Sequence, residues 1–320
     1  MNDLKIFIAG HRGMVGSTIL NKLKNLGYSN IITKTRAELD LTNNNKVSNF
    51  FKNNSPDIVI LCAAKVGGIL ANNTYRADFI YENAMISSNI IKHSHESGVK
   101  KLINLGSSCI YTRDAKIPIK EEYLLTGELE YTNEPYALAK ILALKMCESF
   151  YEQYGSNFYS IMPCNLYGPR DNFDLQTSHV LPALINKVHC AKEKKESSIE
   201  VWGTGKPLRE FLFVEDLAEA IVHCIKNIEA KDIYDQHISH INCGSNDEVS
   251  ISELASVIKK VIEYSGDLVF DPSKPDGTFR KKMDNTRITE SGFTPKTSLE
   301  KGIRETYKWF IKNNKEDCDH

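Results

Sequence analysis

The chain has 320 residues and a mass of 36.2 kDa, enough for one large α/β domain with an appendage or for two modest domains. Its 40 Lys and Arg nearly balance 41 Asp and Glu, so no overall basic excess points to nucleic acid or to an acidic membrane surface, and local patches must carry any anion recognition. The opening Met1-Asn-Asp-Leu-Lys lacks the basic flank, long apolar region and small-residue cleavage site of a signal peptide, and a cytoplasmic location is expected.

In chain order, an apolar run over 4–9 reads as a buried strand, Gly10 to Gly16 as a turn, and 17–26 as a helix stopped by Gly27. Strands at 30–35, 57–62, 101–105 and 158–162 then alternate with helices at 45–53, 79–96 and about 135–154. Such alternation implies parallel strands with right-handed crossovers. Regularity breaks down after Tyr167-Gly-Pro-Arg170. Long polar loops, a lysine-rich stretch at 192–195, a Gly/Pro-rich turn at 203–207 and Asp271-Pro-Ser-Lys-Pro-Asp-Gly277 suggest a smaller domain built from insertions and the C-terminus. The charged tail from Asn313 is expected to fray. The fold class is therefore α/β: a doubly wound parallel sheet with a smaller, discontinuous α+β substrate domain. The expected division is 1–168 plus about 208–244 against about 169–207 plus 245–320.

Gly10-His11-Arg12-Gly13-Met14-Val15-Gly16 follows the first strand directly, placing glycines where a backbone must turn, approach a pyrophosphate and pack a helix on a strand. An acidic residue ending the second strand would hold a free ribose 2′-hydroxyl, but that strand ends Lys34-Thr35-Arg36. Arg12 and Arg36 can converge on a 2′-phosphate, which favours NADP(H); two solvated surface arginines are the plainer alternative. Asp40-Leu41 and Ala63-Ala64-Lys65, at successive strand ends, fall where adenine and ribose would lie.

Tyr136 and Lys140 stand four apart on a predicted helix and share a face, so the ammonium can lie beside the phenol and lower its pKa. Ser107 closes a parallel strand at the carboxyl edge of the sheet; if the chain stays extended, Cys109 points the same way. A strand-end serine and a core cysteine are the simpler reading of that pair. No metal site is expected, since His93-x-His95 and His237-x-x-His240 have no partnering ligands nearby in sequence.

Taken together, Gly-His-Arg-Gly-Met-Val-Gly-Ser (10–17), Ser-Ser-Cys-Ile-Tyr (107–111), Asn-Glu-Pro-Tyr-Ala-Leu-Ala-Lys (133–140), Asn-Leu-Tyr-Gly-Pro (165–169), Asp-Asn-Phe (171–173), Ser-His-Val (178–180), Val-Trp-Gly-Thr-Gly (201–205), Pro-Leu-Arg-Glu-Phe-Leu (207–212) and Lys-Pro-Asp-Gly-Thr (274–278) resemble the extended short-chain dehydrogenase/reductases, and within them the GDP-L-fucose synthase family. The resemblance runs from Ile6 to about Phe310 and implies a Rossmann sheet, reduction of a sugar C4 ketone by NADPH, and epimerisation at C3 and C5. It implies Ser107, Tyr136 and Lys140 as the reductase group, with Cys109 as base and His179 as acid for epimerisation. Cofactor contacts extend by the same resemblance to Leu105, Gly106, Pro163, Asn165, Leu166 and His179; Lys187, Trp202, Arg209 and Asp276 are implied for the GDP-sugar. A homodimer packed through helices, including that of Tyr136 and Lys140, is also implied.

Thr112, Cys164 and Phe279 depart from the synthase pattern next to these motifs, which leaves the sugar open. A C4-reductase for a GDP-4-keto heptose, with or without a separate epimerase, is one rival. A 4,6-dehydratase or 4-epimerase is another, although Ser108-Cys109-Ile110 stands where a dehydratase carries Thr-Asp-Glu. A non-catalytic NADP(H)-sensing protein is a rival of a different class, and the intact Tyr136/Lys140 pair argues against it.

Overall fold

The computed structural model describes residues 3–175, 177–274, 276 and 278–313; the tail beyond Asn313, and Pro275 and Gly277 of the turn-rich 271–277 stretch, lie outside them. The first half alternates strand and helix: β1 (Ile6–Ala9), α1 (Met14–Asn25), β2 (Ile31–Thr33), α2 (Asn44–Asn54), β3 (Ile58–Leu61), α3 (Ile69–Thr74), α4 (Arg76–Glu96), β4 (Lys101–Leu105), α5 (Glu134–Tyr154) and β5 (Phe158–Pro163). There follow β6 (Asn165–Tyr167), α6 (Val180–Glu193), β7 (Ser198–Trp202), β8 (Leu208–Phe213), α7 (Val214–Asn227), α8 (Ala230–Tyr234) and β9 (Ile241–Cys243). The chain closes with β10 (Glu248–Ser250), α9 (Ile251–Ile262), β11 (Asp267–Asp271), β12 (Arg280–Lys281), α10 (Thr286–Glu290) and α11 (Leu299–Asn313).

The main sheet runs β2-β1-β3-β4-β5-β9, all parallel, which is the doubly wound arrangement. The two-residue period of a strand explains why helices cover both faces. Ile6 and Ile8 join the core under α1 and α7, with Ile19, Leu217 and Ile221, whereas Phe7 and Ala9 join the opposite core with Phe50, Phe51, Ile90 and Ile91. All four β1 side chains are buried, and each large one contributes about 1.5–3 kcal/mol.

The rest of the chain forms smaller sheets. β8 pairs with β10, β12 and β6, and β11 pairs with β7. A third core, from Leu181, Ile185, Val201, Phe211, Leu254, Ile258, Ile303 and Phe310, holds α6, α9 and α11 against these strands. Residues 208–213 thus belong to a small sheet, while α7, directly after them, packs on the main one. Asp216 does not cap α7, as carboxylates at a helix start commonly do: it accepts from Thr297 N at 3.0 Å and Thr297 Oγ1 at 3.2 Å, tying the segment before α11 to the main domain.

Candidate active site

The turn after β1 is set by backbone contacts. Gly10 adopts φ +90°, and a Cβ there would stand 2.7 Å from Ala63 N; a Cβ on Gly16 would lie 2.3 Å from Gly10 O. Gly13 N donates to Gly10 O at 3.1 Å, closing the turn, and Gly13 is the N-cap of α1 with no side-chain cap. The first amides of α1 are therefore left for an anion. His11 Nδ1 is buried without a hydrogen-bond partner, and burial, followed by the Arg12 charge, lowers its pKa. Met14 and Val15 are the first residues of α1. This cradle, with an unpartnered ring nitrogen beside it, fits a dinucleotide pyrophosphate.

Arg12 is exposed, and Arg36, past the end of β2, keeps 77% of its side chain accessible. Asp40 spends its carboxylate on Thr42, whose hydroxyl and amide lower its pKa, so that what it offers beside Leu41 is mainly fixed backbone. Ala63, Ala64 and Lys65 follow β3 as expected, and the peptide of Lys65 is fixed by Asn83, which accepts from Lys65 N at 2.8 Å and donates to its carbonyl at 3.0 Å.

The reaction centre collects at the carboxyl ends of β4 and β5. α5 begins with Pro135 in its first turn and ends at Gly155 in the left-handed region, so local sequence defines both ends. Lys140 is buried and donates from Nζ to Leu105 O at 2.7 Å, with Nζ 5.7 Å from the centroid of the Tyr136 ring. Burial lowers the Lys140 pKa to about 8, against the opposing influence of the Cys109 and Cys62 thiols. The expected depression of the Tyr136 pKa does not occur in the free site. Burial drives the phenol upward, Cys109 adds to the rise, and the ammonium is engaged by a carbonyl instead. A Cβ on Gly106 would stand 2.0 Å from Met162 Sδ, so a larger residue there would require the Met162 side chain to move.

The segment after β4 is also not the extended run anticipated. Ser107 is extended, but 108–110 form a single 3₁₀ turn, with Ser107 Oγ accepting from Cys109 N at 3.4 Å. Cys109 is therefore set by the turn rather than by strand alternation. Its thiol is raised by burial, with Lys281, Ser107 and Lys140 acting against the rise. His179 is the N-cap residue of α6, its side chain exposed at the cleft, and surrounding protein lowers its pKa. Its loop is shaped by Asp174 Oδ1, which accepts from Thr177 N and Oγ1, both at 2.8 Å, and is tied to the other side of the cleft by Gly68 N donating to Thr177 O at 2.9 Å.

Pro163 ends β5; Asn165, opening β6, donates to Glu210 O at 2.9 Å, with Leu166 beside it. On the small-sheet side Trp202 is 64% exposed at the end of β7, with the Lys187 and Lys274 ammoniums 6.0 and 5.7 Å from its ring. Lys187 Nζ donates to Glu200 O at 2.6 Å. Asp276 accepts from Thr204 N and Thr204 Oγ1, both at 2.7 Å, so its two oxygens pin the Gly203–Gly205 turn.

Sequence reasoning missed two residues. Lys281 stands in register with Arg209 on the parallel pair β12 and β8, so both side chains leave the same face of the sheet, whereas Arg280 turns away to Glu248. Burial lowers the pKa of Lys281 and of Arg209, and the Arg209 charge adds to the fall at Lys281. Strand alternation through Arg280-Lys281-Lys282 is a signal that could have found it. Glu82 lies within hydrogen-bond reach of Lys65 and Arg36, and nothing in the sequence marks it.

A parallel doubly wound sheet, a glycine loop opening α1, and a serine, tyrosine and lysine gathered at its carboxyl edge define a dehydrogenase/reductase of the short-chain type. The NAD dependent epimerase/dehydratase family matches residues 6–244, and the chain belongs to it. It is 52% identical to GDP-L-fucose synthase 1 of Arabidopsis thaliana over 97% of this chain and 94% of that one. Against the GDP-L-fucose synthase of Escherichia coli K12 the identity is 50%, over 98% of each. Among solved structures, a GDP-mannoheptose C4 reductase from Campylobacter jejuni with NADP bound is 40% identical with a TM-score of 0.89, covering 97% of this chain and 99% of that one.

Proposed function

We infer that the protein is an NADPH-dependent GDP-sugar reductase that reduces the C4 ketone of a GDP-4-keto-6-deoxy sugar and epimerises it at C3 and C5, as a GDP-L-fucose synthase does. The observation that carries this is likeness at about half identity from end to end, across the dinucleotide and the sugar-nucleotide sides alike. NADPH, when bound, supplies the hydride to C4. The chain's own residues do the rest. Ser107 donates a hydrogen bond to the carbonyl oxygen, and Tyr136 gives its proton to the oxygen as negative charge develops. A phenol whose pKa is raised by burial is fully protonated before reaction, which suits an acid. Lys140 supplies a positive charge beside it while protonated, below about pH 8.

For epimerisation the same oxygen, held by Ser107 and Tyr136, takes the electron pair released when the Cys109 thiolate removes a proton from C3 or C5. His179 returns a proton to the opposite face, and the carbon is inverted. Burial disfavours the thiolate, and the positive charges of Lys281 and Lys140 oppose that rise without cancelling it. Arg12 and Arg36 are assigned to the 2′-phosphate, the glycine loop to the pyrophosphate, and Asp40, Leu41, Ala63, Ala64 and Lys65 to the adenosine. Leu105, Gly106, Pro163, Asn165, Leu166 and His179 line the nicotinamide end. Lys187, Trp202 and Arg209 face the GDP, while Asp276 contributes by shaping the turn beside Trp202. In the same assignment the main sheet and its helices form the dinucleotide side and the small sheets the sugar-nucleotide side, with β6 and residues 208–213 counted among the small sheets rather than with the 1–168 plus about 208–244 unit expected from sequence.

A homodimer through α4 and α5 is proposed because Ile80, Tyr81, Leu138 and Leu142 leave those helices exposed; a monomer by light scattering would contradict it. None of the described helices is long and apolar enough to cross a membrane, and the described residues hold no cluster suited to a metal. The likeness to a heptose C4 reductase supports a second reading, in which the ketone is that of a GDP-heptose and a separate enzyme epimerises it. A panel of GDP-4-keto hexoses and heptoses, scored by NADPH oxidation and product NMR, separates the two. GDP-L-fucose formed without a partner enzyme supports the first; no turnover unless a separate epimerase is added refutes it.

A further inference from the structure

Arg36 and Lys65, past the ends of β2 and β3, form a chain of charges with Glu82 and Asp78, two carboxylates of α4 that the assigned chemistry does not use. Glu82, on α4, places Oε1 2.6 Å from Lys65 Nζ and Oε2 3.3 Å from Arg36 Nη2; Lys65 Nζ also lies 3.2 Å from Asp78 Oδ2. One end of this chain is firm and the other loose. Lys65 is fixed through its peptide by Asn83, and the Glu82 side chain is only 20% exposed, whereas Arg36 is 77% exposed and can leave its partner. In the strand order β2-β1-β3 these two ends flank the glycine loop of β1, so the chain crosses the side of the cleft where an adenosine 2′-position would lie. Two acids and two bases sum to no net charge. A 2′-phosphate arriving at Arg36 must share the guanidinium with Glu82 or displace it, and meets its repulsion; a ribose with a free 2′-hydroxyl meets neither cost.

We propose that Glu82 is a specificity-determining residue, whose carboxylate competes with the 2′-phosphate for Arg36 and so restrains the preference for NADP(H) over NAD(H). The proposal rests on the assignment of Arg36 to that phosphate. It concerns affinity, so its test needs no turnover: isothermal titration of the full-length protein with NADP+ and with NAD+.

Glu82→Gln keeps the size of the side chain and an oxygen for Lys65. It is expected to tighten NADP+ by about two- to fivefold, the range of an exposed ion pair, while moving NAD+ by less than about twofold. The gain shrinks as salt is raised. Asp78→Asn removes the same charge without touching Arg36 and is expected to leave the ratio of affinities unchanged. In an Arg36→Ala background, Glu82→Gln is expected to give no gain. Weaker binding of both dinucleotides in Glu82→Gln would make Glu82 a clasp on adenosine and overturn competition, as would a gain that persists without Arg36. If Arg36→Ala itself leaves NADP+ affinity intact, the assignment of Arg36 falls and the proposal with it. If Arg36→Ala weakens NADP+ but Glu82→Gln leaves the ratio unmoved, competition alone is refuted.

Discussion

In the proposed function the glycine loop and the sugar-nucleotide side have the same task, holding a diphosphate, and they are built for it by opposite means. Around Gly10–Gly16 the contacts that matter are backbone to backbone, and two hypothetical Cβ positions collide with main-chain atoms at 2.7 and 2.3 Å. Across the cleft, Trp202, Lys187 and Arg209 present side chains from three different elements, and Trp202 is largely exposed. A backbone cradle tolerates almost no added atom, because main chain cannot step aside. A side-chain site tolerates substitution and loses affinity gradually. Between the two lies the reaction centre of Ser107, Cys109, Tyr136 and Lys140, assembled from side chains like the second, with Cys109 and Lys140 buried.

That contrast predicts a ranking of effects. The largest belongs to the centre: Tyr136→Phe is expected to cut the C4 reduction rate by about 10²- to 10⁴-fold while NADPH affinity, measured by titration, stays nearly intact. Loss of cofactor binding instead would move Tyr136 to a structural role. Cys109→Ser is expected to slow deuterium uptake at C3 and C5 by about 10²-fold or more and to spare reduction of an already epimerised ketone, so unaltered uptake would remove Cys109 as the base. Third comes Gly16→Ala, expected to cost about 1–3 kcal/mol in denaturant unfolding and to weaken both NADP+ and NAD+. A neutral result would mean that the cradle yields more readily than its geometry says.

Reduction should also fall about tenfold between roughly pH 7 and 9 if the Lys140 charge is needed, since a lysine with a pKa of about 8 is protonated below that value and neutral above it. A flat reduction rate over that range would show that Lys140 acts without its charge. The smallest effect is expected at Trp202→Ala, with the KM for the GDP-sugar raised by about three- to tenfold and thermal stability unchanged, because an exposed ring contributes little to folding. A drop in Tm would show that the small-sheet side is more tightly built than its exposure implies.

The halves also differed in how far they could be read in advance. The alternation of strands and helices through residue 163 was legible because a buried parallel strand is a short apolar run and its neighbours are helices of regular period. The small sheets were not: β6, β10 and β12 are two or three residues long and pair with β8 from far away in the chain. Asp216 and Asp276 show the same limit, since each carboxylate found its use in a distant segment, at Thr297 and at Thr204.

By itself the sequence determined the strand and helix alternation of the first half apart from α3, the glycine loop, and the shared helix face of Tyr136 and Lys140, all consequences of local spacing. Tertiary structure alone decided the charge states and the partners. It set the Tyr136 phenol high rather than low, gave the Lys140 ammonium to Leu105 O, placed Lys281 beside Arg209, and joined Arg36 to Lys65 through Glu82. The reason is that spacing along the chain brings side chains onto a common face, whereas burial and long-range charge depend on what the folded chain packs around them.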